Sequence, residues 1–178
     1  VSLDYLITNF PSDAEAYNTI DINTYMRAGL YKDLGLETMG WLPADTLAYR
    51  IAPTECVDGE CLRGEVHDPL ARVMMCGVSG NAGVFATAEE VARWAIWYMQ
   101  LSDEVRAEGC HAGLWMDSVE TASGIWIPRC RHTGYTGTSV TILPTAKRAV
   151  VLLTNRVHPK DEHSLAVLRR ELNALLVP

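Results

Sequence analysis

Residues 131–138, Arg-His-Thr-Gly-Tyr-Thr-Gly-Thr, hold a histidine, three threonines and two glycines in one run that leads into a strand-like segment. Imidazole and hydroxyl groups side by side can move protons or orient a polar substrate. Glycine weakens a strand, so a pair of glycines here marks a place where another backbone or a ligand comes close. The same residues also read as a glycine-kinked edge strand carrying His132 on the surface. A second constellation is Arg63-Gly-Glu-Val-His-Asp-Pro69, followed by Gly77-Val-Ser-Gly-Asn-Ala-Gly83. Asp68 before Pro69 has the pattern of a helix cap with proline in the first turn, which gives it a local role. Gly77, Gly80 and Gly83 do not have the G-x-G-x-x-G spacing of a dinucleotide site, and no strand leads into them. Ser79 falls short of a nucleophile elbow, because G-x-S-x-G requires glycine where Asn81 stands. Cys56, Cys61, His67 and Cys76 are donors that zinc accepts, but their spacing matches no finger or ribbon, so neither a metal nor a cofactor is expected.

Several elements must position these groups. Over residues 21–33 the apolar Ile22, Tyr25, Met26, Leu30 and Tyr31 recur at helical spacing, and Gly35 supplies the stop. Residues 40–86 show no sustained period and read mostly as loop with short turns, a length that in a compact domain lines something functional. Thr87-Ala-Glu-Glu90 is a capping box, so a helix is expected over 88–101, with Trp94 and Trp97 nearly completing its apolar circumference and burying it on most sides. Residues 138–143 alternate, 144–147 read as a turn and 149–154 are β-branched and apolar, which together predict an antiparallel hairpin. Asp161 is expected to cap a last helix over 161–177, with Leu165, Leu168, Leu172, Leu175 and Leu176 on one stripe and Arg169, Arg170 and Glu171 facing water. Asp103, Glu104, Arg106 and Glu108 read as a solvated helix end. The expected class is α+β, an antiparallel sheet flanked by helices.

The 178 residues are 48% hydrophobic and 21% charged, the balance of a globular chain, and a single domain is expected over 1–178. A net charge of -7 argues against nucleic acid as a partner. The longest apolar run, residues 94–99, is six residues and far short of a membrane span. Five cysteines without regular spacing fit a reducing compartment better than a disulfide scaffold, so the expected location is cytoplasmic. The first ten residues lack the charged start and small-residue cleavage site of a leader.

Four segments resemble serine hydrolases related to class C β-lactamases and penicillin-binding proteins. They are Arg63-Gly-Glu-Val-His-Asp68, Gly80-Asn-Ala-Gly-Val-Phe-Ala-Thr-Ala88, His132-Thr-Gly-Tyr-Thr-Gly-Thr-Ser139 and Leu152-Leu-Thr-Asn-Arg-Val-His-Pro159. Leu34-Gly-Leu36 and Trp41-Leu-Pro43 look like the family's segment just after a helix. The resemblance implies an acyl-enzyme reaction on an ester, amide or β-lactam, using Ser-x-x-Lys, Tyr/Ser-x-Asn and Lys-Thr-Gly motifs around one cleft. His132-Thr133-Gly134 looks like the third motif in its histidine form. The resemblance makes the Tyr135 amide an oxyanion donor, gives His132 and Thr133 the orientation of a substrate carboxylate or support of proton transfer, and lets Gly134 admit the acyl group. No serine here has lysine three residues later, no tyrosine has asparagine two later, and Ser79-Gly80-Asn81 lies in the glycine-rich loop, not where the second motif belongs. The expectation is therefore a C-terminal part of such a hydrolase, inactive alone, or a non-catalytic protein that keeps the fold. Apolar surface left uncovered by absent helices leads to an expected homo-oligomer or a covering N-terminal segment.

Overall fold

Asp21 opens the described structure by capping a helix: its carboxylate accepts the Thr24 N–H at 2.9 Å. The computed structural model describes residues 21–106, 114–161 and 163–178; the stretch 1–10 read above and Glu108 lie outside them. Helix α1 (Ile22–Met26) continues into a wider turn over Arg27–Tyr31, which breaks at Gly29 and stops at Gly35, where φ is +64°. The apolar face expected over 21–33 buries Met26 and Tyr31 against Leu36, Met39 and Trp41. Burial there pushes the Tyr31 phenol up to about 12.

The region expected to be mostly loop holds several short elements. A 3-10 turn spans Asp45–Arg50, strands β1 (Cys56–Val57) and β2 (Glu60–Cys61) make a small hairpin, and α2 covers Pro69–Met74. Asp68 caps α2 as expected, accepting the Ala71 N–H at 2.7 Å. Cys56 and Cys61, directly paired across the hairpin, form a disulfide. Irregular cysteine spacing gave no sign of this bridge, because strand pairing cannot be seen in it.

Helix α3 (Ala88–Gln100) starts at the expected capping box: Thr87 Oγ1 accepts the Glu90 N–H at 3.2 Å, and the Glu90 carboxylate accepts the Thr87 N–H at 3.0 Å. The same carboxylate accepts Thr38 N–H and Oγ1–H, both at 2.6 Å, and Met39 N–H at 3.2 Å. A local cap thus also ties α3 to the chain after α1. The helix is less enclosed than its tryptophans suggested, because Ile96 is 54% exposed. Arg106, read as solvated, turns back onto the Met99 and Leu101 carbonyls at the end of α3 and pairs with Asp103.

Four strands, β3 (Trp115–Glu120), β4 (Trp126–Thr133), β5 (Ser139–Leu143) and β6 (Arg148–Leu152), form one antiparallel sheet in sequence order. The expected hairpin is β5 and β6, with Thr141 opposite Val150. Period-two alternation sends Cys130, Val140 and Ile142 toward Ala95 and Tyr98 of α3, while Ile127, Leu143 and Val150 meet Leu176 of helix α4 (Ala166–Leu176). The result is α+β, with the sheet between two helices.

Two expectations for the last helix fail. Asp161 does not cap it; Leu165 stands at the N-cap with no side-chain bond, and Asp161 binds Arg156 and Tyr135 instead. Arg169 does not face water, since its Nη2 donates to the Gly134 and Thr138 carbonyls, both at 3.0 Å. The inward face follows Leu165, Arg169, Leu172 and Leu176, while Leu175 is 79% exposed. A guanidinium with carbonyl acceptors has displaced leucine from the stripe.

Candidate active site

His132 and Thr133 are the last two residues of β4, opposite Val140 and Ser139 of β5. Adjacent strand residues point to opposite faces, so His132 lies on the α3 side and Thr133 on the α4 side. Both are exposed. The chain then turns tightly: Gly134 N–H donates to the Thr138 carbonyl at 2.8 Å and Gly137 N–H to the Gly134 carbonyl at 3.2 Å. A side chain at Gly137 (φ +120°) would put Cβ 2.9 Å from the Thr154 carbonyl oxygen. The close approach anticipated from the paired glycines is to the segment after β6.

That segment and α4 clamp the turn from two sides. Arg156 donates from its backbone N–H to the Thr136 carbonyl at 2.9 Å and from Nε to the Tyr135 carbonyl at 2.7 Å. Its guanidinium carbon also sits 4.7 Å from the Tyr135 ring centroid. Asp161 holds Arg156 in turn, at 2.5 Å from Nη1, and accepts the Tyr135 hydroxyl. Thr154 Oγ1 donates to the Gly137 carbonyl at 2.6 Å, and Arg169 holds the Gly134 and Thr138 carbonyls from α4.

The structure also joins the two sequence constellations. The His67 ring stacks on Tyr135 with centroids 5.7 Å apart and planes 17° apart. His67 Nδ1 is buried with no hydrogen-bond partner. Arg63 stays away, donating to the Ile51 carbonyl at 2.7 Å. Sequence reading missed His67, Arg156, Asp161 and Arg169 as members of this site. The signal present was Asn155-Arg156-Val157-His158, which was noted without a role for its arginine.

The chemistry of the four expected residues divides between backbone and side chain. Tyr135 N–H has no acceptor among the described residues, so it remains available on a turn whose carbonyls are held. The Tyr135 phenol is pushed up, first by its hydrogen bond to Asp161, so it stays protonated and does not act as a base at neutral pH. No described side chain hydrogen-bonds the His132 imidazole. Thr133 opens onto a groove between the sheet and α4 that Arg131, Ser139, Thr141 and Arg169 also line. Asp117 binds Arg129 through two contacts of 2.7 Å and Arg131 at 3.0 Å, and the Arg129 hydrogen bond holds its carboxyl below the usual range.

The remaining candidates have structural explanations. Trp41 Nε1–H donates to the Ser79 and Ala82 carbonyls at 2.9 Å, and a Cβ on Gly83 would lie 2.9 Å from Trp41 Cδ1. The glycine-rich loop therefore wraps a tryptophan. Ser79 is buried with its hydroxyl on the Asn81 side chain. Of the four residues weighed for zinc, Cys56 and Cys61 gather with His158, without His67 or Cys76.

A four-stranded antiparallel sheet thus lies between two helices, with the His-Thr-Gly turn at the end of an inner strand. The chain belongs to the Beta-lactamase family, whose pattern matches residues 18–174. It is 28% identical to a putative D-alanyl-D-alanine carboxypeptidase of Salmonella heidelberg (strain SL476), over 88% of this chain and 44% of that protein. It is 29% identical to an N-acetylmuramyl-L-alanine amidase of Bacillus subtilis (strain 168), over 54% of this chain and 27% of that protein. The chain thus spans less than half the length of these relatives. No solved structure matches it.

Proposed function

We propose that this chain is the C-terminal part of a serine hydrolase that opens an ester, a D-amino peptide or a β-lactam through an acyl-enzyme. The nucleophile comes from residues outside the printed sequence. The Tyr135 N–H, without an acceptor among the described residues and set on a clamped turn, carries this reading, because an oxyanion donor must be fixed before charge develops on the substrate oxygen. The family resemblance gives Gly134 the role of admitting the acyl group, at a residue whose Cβ position Thr138 Oγ1 already occupies. His132 supports proton transfer, and Thr133, beside the guanidinium-lined groove, orients a substrate carboxylate. The names of the relatives, a D-alanyl-D-alanine carboxypeptidase and an N-acetylmuramyl-L-alanine amidase, favour a D-amino peptide or another amide among these substrates. No nucleic acid or cofactor enters the proposal, and a cytoplasmic location rests on cysteine usage alone.

The test is intact mass of the natural protein, isolated from its own cells and treated with a serine-reactive fluorophosphonate. A species well above 19.7 kDa carrying one adduct is the expected result. An unmodified species of 19.7 kDa, with no labelled polypeptide beside it, overturns it. That outcome establishes the second reading, a non-catalytic protein with the same fold, which the absence of Ser-x-x-Lys from the sequence favours.

A further inference from the structure

The Cys56–Cys61 hairpin lies outside the candidate site, yet both of its ends lead to Tyr135. On the entering side, the Pro53 carbonyl accepts the Asn155 side-chain amide, the Thr54 carbonyl lies 2.9 Å from His158 Nδ1, and Cys56 N–H reaches the Pro159 carbonyl at 3.4 Å. The segment so held contains Arg156, which grips the Tyr135 and Thr136 carbonyls. On the leaving side, Leu62 N–H donates to the Glu55 carbonyl at 3.0 Å, and the chain runs on five residues to His67, stacked on Tyr135. The cystine closes the one hairpin from which both contacts depart.

Its two sulfurs differ. Cys61 is exposed and Cys56 is half-buried. A carbonyl oxygen only accepts, so the contact with Thr54 places the proton on His158 Nδ1. The same N–H lies 3.7 Å from Cys56 Sγ. Thiol–disulfide exchange proceeds by attack on the accessible sulfur and departure of the better-stabilised thiolate. Accessibility selects Cys61 for attack, and the imidazole N–H stabilises Cys56 as the leaving group.

We propose that Cys56–Cys61 is a thiol–disulfide exchange site that adjusts the clamp on the residue 134–138 turn. The thiolate of a dithiol reductant bonds to Cys61 Sγ as the Cys56–Cys61 bond breaks, and the electron pair leaves on Cys56. The reductant's second thiol, losing its proton, then closes its own disulfide and releases Cys61 as thiolate. Both cysteine thiolates take protons, so two electrons and two protons pass from the reductant to the hairpin. The opened hairpin no longer holds Arg156 and His67 in one register against Tyr135.

The test uses the full chain under native conditions and needs no hydrolytic activity. Glutathione, followed by rapid alkylation and peptide mass mapping, is expected to leave glutathione on Cys61 and the alkyl group on Cys56 by about tenfold over the reverse. Dithiothreitol is expected to convert both to alkylatable thiols with the far-ultraviolet circular dichroism unchanged. Amide exchange at Gly134 and Gly137 is then expected to quicken by about tenfold as the turn loosens. Replacing His158 by glutamine is expected to reduce the preference for Cys61, while the unaltered chain supplies the decisive result whether or not that variant folds. A cystine that opens only in denaturant, glutathione held chiefly on Cys56, both cysteines alkylated before any reductant, or unchanged exchange at Gly134 and Gly137 each overturns the proposal.

Discussion

Tyr135 is held through three of its parts: Arg156 binds its carbonyl, Asp161 its hydroxyl, and His67 and Arg156 its ring. Among the described residues its amide is the one polar group without a partner, so the phenol is dispensable to the proposed chemistry. In any active longer form, Tyr135→Phe is expected to change kcat/KM by less than about threefold, whereas His132→Ala lowers it by about ten- to a thousandfold, the range for a positioned acid–base or electrostatic group. Steady-state kinetics on an ester substrate check both, and unchanged kinetics in His132→Ala return that histidine to a surface role. Glu90 makes a residue-scale prediction for stability. Burial raises its carboxyl, but hydrogen bonds from Thr38 and Thr87 outweigh burial and bring it below the ordinary 4.5. A depressed carboxylate contributes fully above that ordinary value, and its contribution is lost as pH falls through the folded value. Thermal unfolding midpoints are therefore expected to drop in acid, and Glu90→Gln, which sets an NH2 among N–H donors, is expected to cost about 1–3 kcal/mol near neutrality and to flatten the acid limb.

Among elements, the turn between β4 and β5 depends on contacts from two others. Gly137→Ala combines an unfavourable φ of +120° with a Cβ 2.9 Å from the Thr154 carbonyl oxygen. It is expected to destabilise by about 1–3 kcal/mol and to release the 134–138 turn, seen as faster amide exchange there. Arg169→Ala removes the guanidinium from two carbonyls and is expected to cost about 1–3 kcal/mol by chemical denaturation, while Arg170→Ala, exposed and paired only with its neighbour Glu171, is expected to stay within about 0.5 kcal/mol. The elements themselves were largely legible. Caps at Asp68 and Thr87 act within three residues, and alternation with an intervening turn identifies β5 and β6. The last helix was read with the wrong cap and partly the wrong face, because Arg156 competes for Asp161 and the Gly134 carbonyl draws Arg169 inward. Neither competitor is near in sequence.

At the scale of the whole molecule, apolar side chains among the described residues remain exposed on several elements. Leu70, Val73, Met74 and Met75 are exposed on and just after α2, and Trp115, Met116 and Trp126 on the outer part of the sheet. Among the described residues, β3 and β6 each leave one edge of that sheet unpaired. The isolated chain is expected to self-associate or bind a hydrophobic dye, as the size of such patches implies. A monodisperse monomer by light scattering that leaves the dye dark contradicts this. Among the described residues no helix is long and apolar enough to cross a membrane.

The sequence by itself determined the caps at Asp68 and Thr87, the β5–β6 hairpin, the net negative charge and the His132-Thr133-Gly134 element that carries the family resemblance. These depend on side chains a few residues apart or on composition, where hydrogen-bond reach and the periods of helix and strand act directly. Tertiary structure decided that His67 stacks on Tyr135, that Arg156, Asp161 and Arg169 hold the turn, and that the glycine-rich loop encloses Trp41. Those contacts join distant segments, and a guanidinium, a carboxylate or an indole N–H has the same chemistry wherever it stands. Packing of α4 and the segment after β6 against the sheet is what brings Arg156, Asp161 and Arg169 to the turn.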